Sequence, residues 1–280
     1  MDRLVTDMNA LCDAQIFGTS WHLVNLATGA SAGRDADIPV PSASTRKTSI
    51  MMAVLAQVAA GRLDLDERIT IEPRHADGVA SGVLRYMTPG LVIPFRDAVV
   101  QMIITSDNVA TRIVMERIDR DALNEWCGRA GMTGTVHRFD IPPLGMPWDH
   151  PLDAVTTTTP ADQTLLLQRI LDGAADQDAA ARIGCTTPLC AWALEVLSWQ
   201  IYRNMIPSRL PPDTRVANKT GLGQRGRMDA GIVYCGTRPI YILAGFTDRV
   251  PPVMPDGLPG FTHSFAVIGG LSRLCWDAIT

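Results

Sequence analysis

The sequence predicts an α/β chain of the α+β kind, with a sheet built from both ends and an all-helical segment inserted between them. Three observations lead there. A strand-like run stands near the start, at 20–26. Three more follow residue 215. Between them, apolar residues recur at helical spacing. This places residues 1–46 and 204–280 in one discontinuous domain and 47–203 in a second. The cleft between them is the natural place for a small ligand.

In chain order, 3–15 reads as a helix. SWHLVNL at 20–26 reads as a strand closed by the turn Ala27-Thr28-Gly29. Residues 47–60 carry Ile50, Met51, Val54, Leu55 and Val58 as a helical stripe, ended by Gly61. Residues 95–120 are helical with a break at Thr105-Ser106-Asp107, and further helices are expected at 121–130, 161–173 and 188–203. From Val216 the pattern changes. VANKTG, MDAGIVYCG and PIYILAGF are rich in residues that suit a sheet, and Ile240 to Phe246 barely alternates, as in a strand buried on both faces. An amphipathic helix over 261–279 closes the chain.

With 46% hydrophobic residues the chain holds enough apolar material for a sizeable core. A net charge of −4 leaves no electrostatic footprint for nucleic acid, and no run of 18 apolar residues suggests a membrane partner. The start shows no export signal, and the six cysteines form no ladder of spacings. Buried free thiols and a cytosolic setting are therefore expected. The five histidines show no paired spacing, so no metal is expected. Gly-Leu-Gly at 221–223 lacks the surroundings of a dinucleotide loop, so no cofactor is expected either.

The basic residues are uneven. Of 25, only Lys47 and Lys219 are lysine. Arg replaces Lys well on a surface and badly where the side chain must lose its proton. Lys47 lies in Ser44-Thr45-Arg46-Lys47 at a helix start, one turn from a serine on the same face. A neutral amine there can take the serine proton and make a nucleophile. Ser44 alone reads equally as a helix cap. Lys219 lies in Asn218-Lys219-Thr220-Gly221 at a strand end, where a charge and a hydroxyl can hold a carboxylate; alone it reads as a strand end. Ser106-Asp107-Asn108 occupies the helical break, with Asp107 a natural cap. Arg225 and Arg227 follow closely, and one of them can reach a substrate carboxylate bidentately. Tyr86 and Trp148 are candidates for the pocket mouth.

Ser-x-x-Lys, Ser-Asp-Asn and Lys-Thr-Gly in this order resemble the signature of class A β-lactamases and penicillin-binding proteins. Their separations, 62 residues from Ser44 to Ser106 and 113 from Ser106 to Lys219, are similar to those of that superfamily. VPSASTRK, GRLDLDERITI, SGVLRYMTPG, MIITSDNVATRIVMERI, IPSRLPPDTRVANKTG and MDAGIVY extend the resemblance over roughly 15–278. The resemblance implies an antiparallel sheet with flanking helices plus the inserted helical domain. It implies Ser44 as nucleophile, Lys47 as general base or relay, and Ser106, helped by Lys219, as proton donor to the leaving group. Asn108 would bond the acyl amide, and Lys219 and Thr220 a substrate carboxylate. The N–H groups of Ser44 and Leu222 would form the oxyanion hole.

One part is missing. The family's deacylating Glu lies in the loop after the helical middle. Here that region, 137–162, has none, since no Glu stands between Glu125 and Glu195. Asp140, Asp149, His150 and Asp153 are the available substitutes. The expectation is a serine acyl hydrolase or acyltransferase that forms an acyl-enzyme on Ser44. Its substrate would be a small amide, ester or lactam that carries the acyl group, with or without a carboxylate, and a place in secondary metabolism is expected. It would not be an efficient class A β-lactamase. The alternatives are a true β-lactamase with a substitute base and a catalytically silent binding protein on the same fold.

Overall fold

The computed structural model describes all 280 residues, and its centre is a five-stranded antiparallel sheet. The chain starts with helix α1 (Asp2–Asp13) and the hairpin β1 (Gly18–Asn25) and β2 (Ser31–Arg34). The short strand β3 (Val40–Pro41) leads into a 3₁₀ turn over Ala43–Arg46 and then helix α2 (Lys47–Ala59). The small hairpin of β4 (Arg68–Thr70) and β5 (Val92–Pro94) follows. Next come helices α3 (Phe95–Ile104), α4 (Asn108–Met115) and α5 (Arg120–Arg129). Strand β6 (Thr157–Thr158) pairs with β3, and α6 (Pro160–Ala175), α7 (Gln177–Arg182) and α8 (Thr187–Ser198) complete the helical region. Strands β7 (Val216–Leu222), β8 (Arg227–Cys235) and β9 (Arg238–Asp248) and helix α9 (Gly260–Ile279) close the chain.

The sheet order is β2-β1-β9-β8-β7, so both ends of the chain supply an edge. β9 sits in the middle, and its alternate side chains feed two cores. Tyr241 and Leu243 join Trp21, α1 and α9 on one face. Ile242, Ala244 and Phe246 join the helical region on the other, in one continuous apolar cluster of 47 buried residues. The expected domain boundaries at 46/47 and 203/204 run across that cluster, so sheet and helices share a core.

The sequence expectation omits the short strands β2, β3, β5 and β6 and the helix α7. Ser31-Ala-Gly-Arg has no β-branched residue, and its pairing with β1 imposes the strand. α7 is a short helix started by Asp176, whose carboxylate accepts from Ala179 N at 2.6 Å. The helix expected over 188–203 stops at Ser198, because Gln200 turns inward to donate to Ile103 O at 3.1 Å. Of the six free cysteines, Cys235 is exposed and five are buried. No helix is long and apolar enough to cross a membrane.

Candidate active site

Three chain segments meet at a cavity of about 260 Å³. The turn before α2 carries Ser44, the α3–α4 break and the first residue of α4 carry Ser106 and Asn108, and the edge strand β7 carries Thr220 and Leu222. Lys47 and Lys219 lie beneath the wall, fully buried.

The nucleophile turn is held from both sides. Ser42 Oγ donates to Thr156 O (3.0 Å), Thr45 Oγ1 donates to Ser42 O (2.6 Å), and Ala43 adopts a left-handed φ of 41°. Strain at such a residue is tolerated only where the surroundings over-determine it. Ser44 Oγ lines the cavity without a protein partner, and no turn or loop carbonyl accepts from the Ser44 N–H. First-turn N–H groups lack helical partners, so this one is free for an oxyanion.

The α3–α4 break is organised by Asp107. Its Oδ1 accepts from Val109 N (2.8 Å) and Ala110 N (3.0 Å), and its Oδ2 from Leu84 N (2.8 Å). Gly82 permits this approach. Its φ is 119°, and a Cβ there would stand 2.4 Å from the Asp107 carboxyl carbon. The result fixes Ser106 in a left-handed conformation (φ 54°) over the amine of Lys47.

Lys47 Nζ donates to Ser106 O and Asn108 Oδ1, both at 2.7 Å, with Ser106 Oγ 3.3 Å away. Carbonyl oxygens only accept, so two N–H bonds are committed to them. Burial, followed by the charges of Lys219 and Arg46, holds the ammonium well below its ordinary value; Asp107 opposes this weakly. In the neutral amine the remaining position is a lone pair beside Ser106 Oγ, which makes a short proton route between the two. Asn108 Nδ2 has no protein partner and remains free for an acyl carbonyl.

Lys219 is likewise buried and lowered to about 7, with Asp229 opposing the shift. Its Nζ donates to Thr220 O at 2.8 Å, and the Thr220 hydroxyl faces the cavity unpartnered. Asp229 lies on β8 opposite Thr220. It accepts from Asn218 Nδ2 (2.9 Å) and Ile206 N (3.0 Å), and burial raises it to about 6.

The two arginines are a correction. Arg225 lines the cavity, but its fork is taken. Nε and Nη2 bond Asp248 at 2.7 and 2.6 Å, and Nη1 donates to His150 O. Arg227 donates to Gly223 O and Gly226 O and lies over the Phe261 ring, 4.2 Å from its centroid. Arg225 therefore presents no free fork to a carboxylate, and Arg227 stands outside the cavity lining. Tyr86, 78% exposed, and Trp148 stand outside the cavity lining.

Sequence reasoning passed over Arg46, Asp229 and the apolar loop wall. Arg46 is buried, lowered to about 10, and clasps the loop by donating to Phe139 O (2.7 Å) and Asp140 O (2.6 Å). Its signal was an arginine placed immediately before a mostly apolar helix. Of the four candidate substitute bases, His150 alone lines the cavity. Its Nδ1–H donates to Pro151 O (2.9 Å), so in a neutral ring Nε2 keeps a free lone pair. Asp140 is paired with Arg120 at 3.1 Å, while Asp149 and Asp153 are outside the lining. No group of three His, Cys, Asp or Glu is placed to hold a metal.

The model of the Beta-lactamase enzyme family matches residues 3–279. Among solved structures, the chain is similar to a beta-lactamase from Sphaerobacter thermophilus (24% identity, 98% of this chain and 96% of that one, TM-score 0.82). It is also similar to PBP-A (25% identity, 99% and 96%, TM-score 0.82). A PBP-A variant described as an acyl-enzyme complex with penicillin G matches at 25% identity over the same shares, with a TM-score of 0.81.

Proposed function

The chain belongs to the beta-lactamase enzyme family, and from that membership we propose a serine acyl hydrolase or acyltransferase that acts through an acyl-enzyme on Ser44. The observation that carries this reading is the Lys47 amine. It is buried, depressed, tethered by two carbonyl oxygens and within reach of Ser106 Oγ. Ser44 Oγ attacks the acyl carbonyl while its proton passes by way of Ser106 Oγ to the Lys47 amine. The N–H groups of Ser44 and Leu222 receive the developing oxyanion. Ser106 then hands the proton to the leaving group and regains one from Lys47. The penicillin G acyl-enzyme of the PBP-A variant supports acylation as the first half of the cycle.

The second half differs from that of an efficient β-lactamase. The loop facing the nucleophile carries no carboxylate into the cavity. We propose that deacylation is slow toward water, with His150 as its base, or is completed by an amine or alcohol acceptor. The cytosolic setting expected from the cysteine pattern is part of the proposal, and fractionation of the host cell tests it.

Intact-mass spectrometry after incubation with penicillin G or an activated ester should show one adduct on Ser44, absent in Ser44→Ala. His150→Phe should prolong that adduct. Steady nitrocefin turnover on the order of tens per second would refute slow deacylation, and no adduct with any acyl donor would leave only a binding protein.

A further inference from the structure

We propose that the acyl group accepted by this site is an extended, uncharged apolar chain, delivered as an ester or thioester. The proposal rests on the reading of Ser44 as an acylated nucleophile and names the substrate class for it.

The cavity is divided. Its hydroxyl and amide groups cluster around Ser44, whereas the facing loop contributes Phe139, Pro142, Pro143, Leu144 and Met146. Small-molecule sites combine a few polar groups that orient the ligand with apolar walls that hold it. Leu144 and Leu222 line the cavity and yet remain 57% and 53% exposed. These are open apolar faces at the ligand's position, where an aliphatic chain gains most by displacing water. No arginine of the cavity lining is free to complement an acid on that chain. The Arg225 fork is closed on Asp248, and the Arg46 guanidinium is closed on loop carbonyls. The same two arginines brace the wall at both ends, through Phe139 O and His150 O, so it stands formed before any ligand arrives. A volume of about 260 Å³ suits a chain of moderate length.

The step balances simply. Ser44 Oγ bonds the acyl carbon, and the bond to the alcohol or thiol oxygen or sulfur breaks. The Ser44 proton leaves with that group by way of Lys47 and Ser106.

The test is release of p-nitrophenolate from p-nitrophenyl acetate, butyrate, hexanoate and octanoate, with the Ser44→Ala rate subtracted. The acylation constant should rise roughly fourfold per added methylene from acetate to hexanoate. The mono-p-nitrophenyl ester of adipic acid, which ends in a carboxylate, should be at least about tenfold slower than the hexanoate, as expected for an unpaired charge in an apolar wall. Leu144→Ala and Leu222→Ala should flatten the series, whereas Ile201→Ala, an exposed apolar residue outside the cavity, should keep its slope. A flat or falling wild-type series, or an adipate ester as fast as the hexanoate, overturns the proposal while leaving Ser44 acylation intact. No release and no Ser44 adduct from any ester overturns the underlying reading as well.

Discussion

Lys47 stood out in the sequence because a side chain that must shed a proton near neutrality can be lysine and cannot be arginine. Lys219 stood out by its place in Lys-Thr-Gly, where arginine is less clearly excluded. Arg225 was not legible. A guanidinium fork fits a ligand carboxylate and an internal one equally well, and only the folded turn between β7 and β8 brings Asp248 beside it. Asp229 was hidden in the same way, as one acid in a β-strand that pairing sets opposite Thr220. The pair Lys219 and Asp229 makes stability depend on pH. Lys219 falls from 10.5 to about 7 on folding, so between those values the unfolded chain holds a proton that the folded one has lost. Raising pH through that window therefore stabilises the fold. Asp229 rises from 3.8 to about 6, so raising pH between those values destabilises it. The contribution of the pair is lowest near pH 6–7. Thermal melts from pH 7 to 10 should show a rise in Tm for the wild type relative to Lys219→Met. Parallel curves would mean that Lys219 is not depressed.

At the scale of elements, every long helix and every strand after residue 215 was readable, because periodicity and turn residues agree there. What escaped was set by partners. β2 exists by pairing with β1, and the loop over 139–155 takes its shape from arginines at distant sequence positions. Its second brace runs from β9 through Asp248 and Arg225 to the His150 carbonyl. Asp248→Asn leaves a guanidinium that is 3% exposed without its counter-charge. Breaking a buried pair typically costs about 3–5 kcal/mol; with Asp248 one-fifth exposed, about 2 kcal/mol is expected, measured by urea unfolding. The loosened wall should raise KM for the hexanoate ester more than it lowers kcat. A fall in kcat alone would place the defect at Ser44 instead of the loop.

For the whole molecule, the two-part organisation expected from the sequence leaves out the shared core. The inner face of β8 and β9 and the helices from α2 to α8 bury one apolar cluster, which spacing along a single chain does not show. That union explains how both lysines come to lie at the junction. Here the surface has consequences of its own. Twenty-three arginines and no exposed lysine leave the folded exterior without a side-chain primary amine, since Lys47 and Lys219 are both 0% exposed. Succinimidyl esters should therefore leave both lysines unmodified on the native protein, by peptide mapping, and reach them only as the junction opens in urea. Labelling of either residue in the absence of denaturant would show the cleft breathing under native conditions. The pair thus serves as a built-in reporter of opening, silent while sheet and helices hold together.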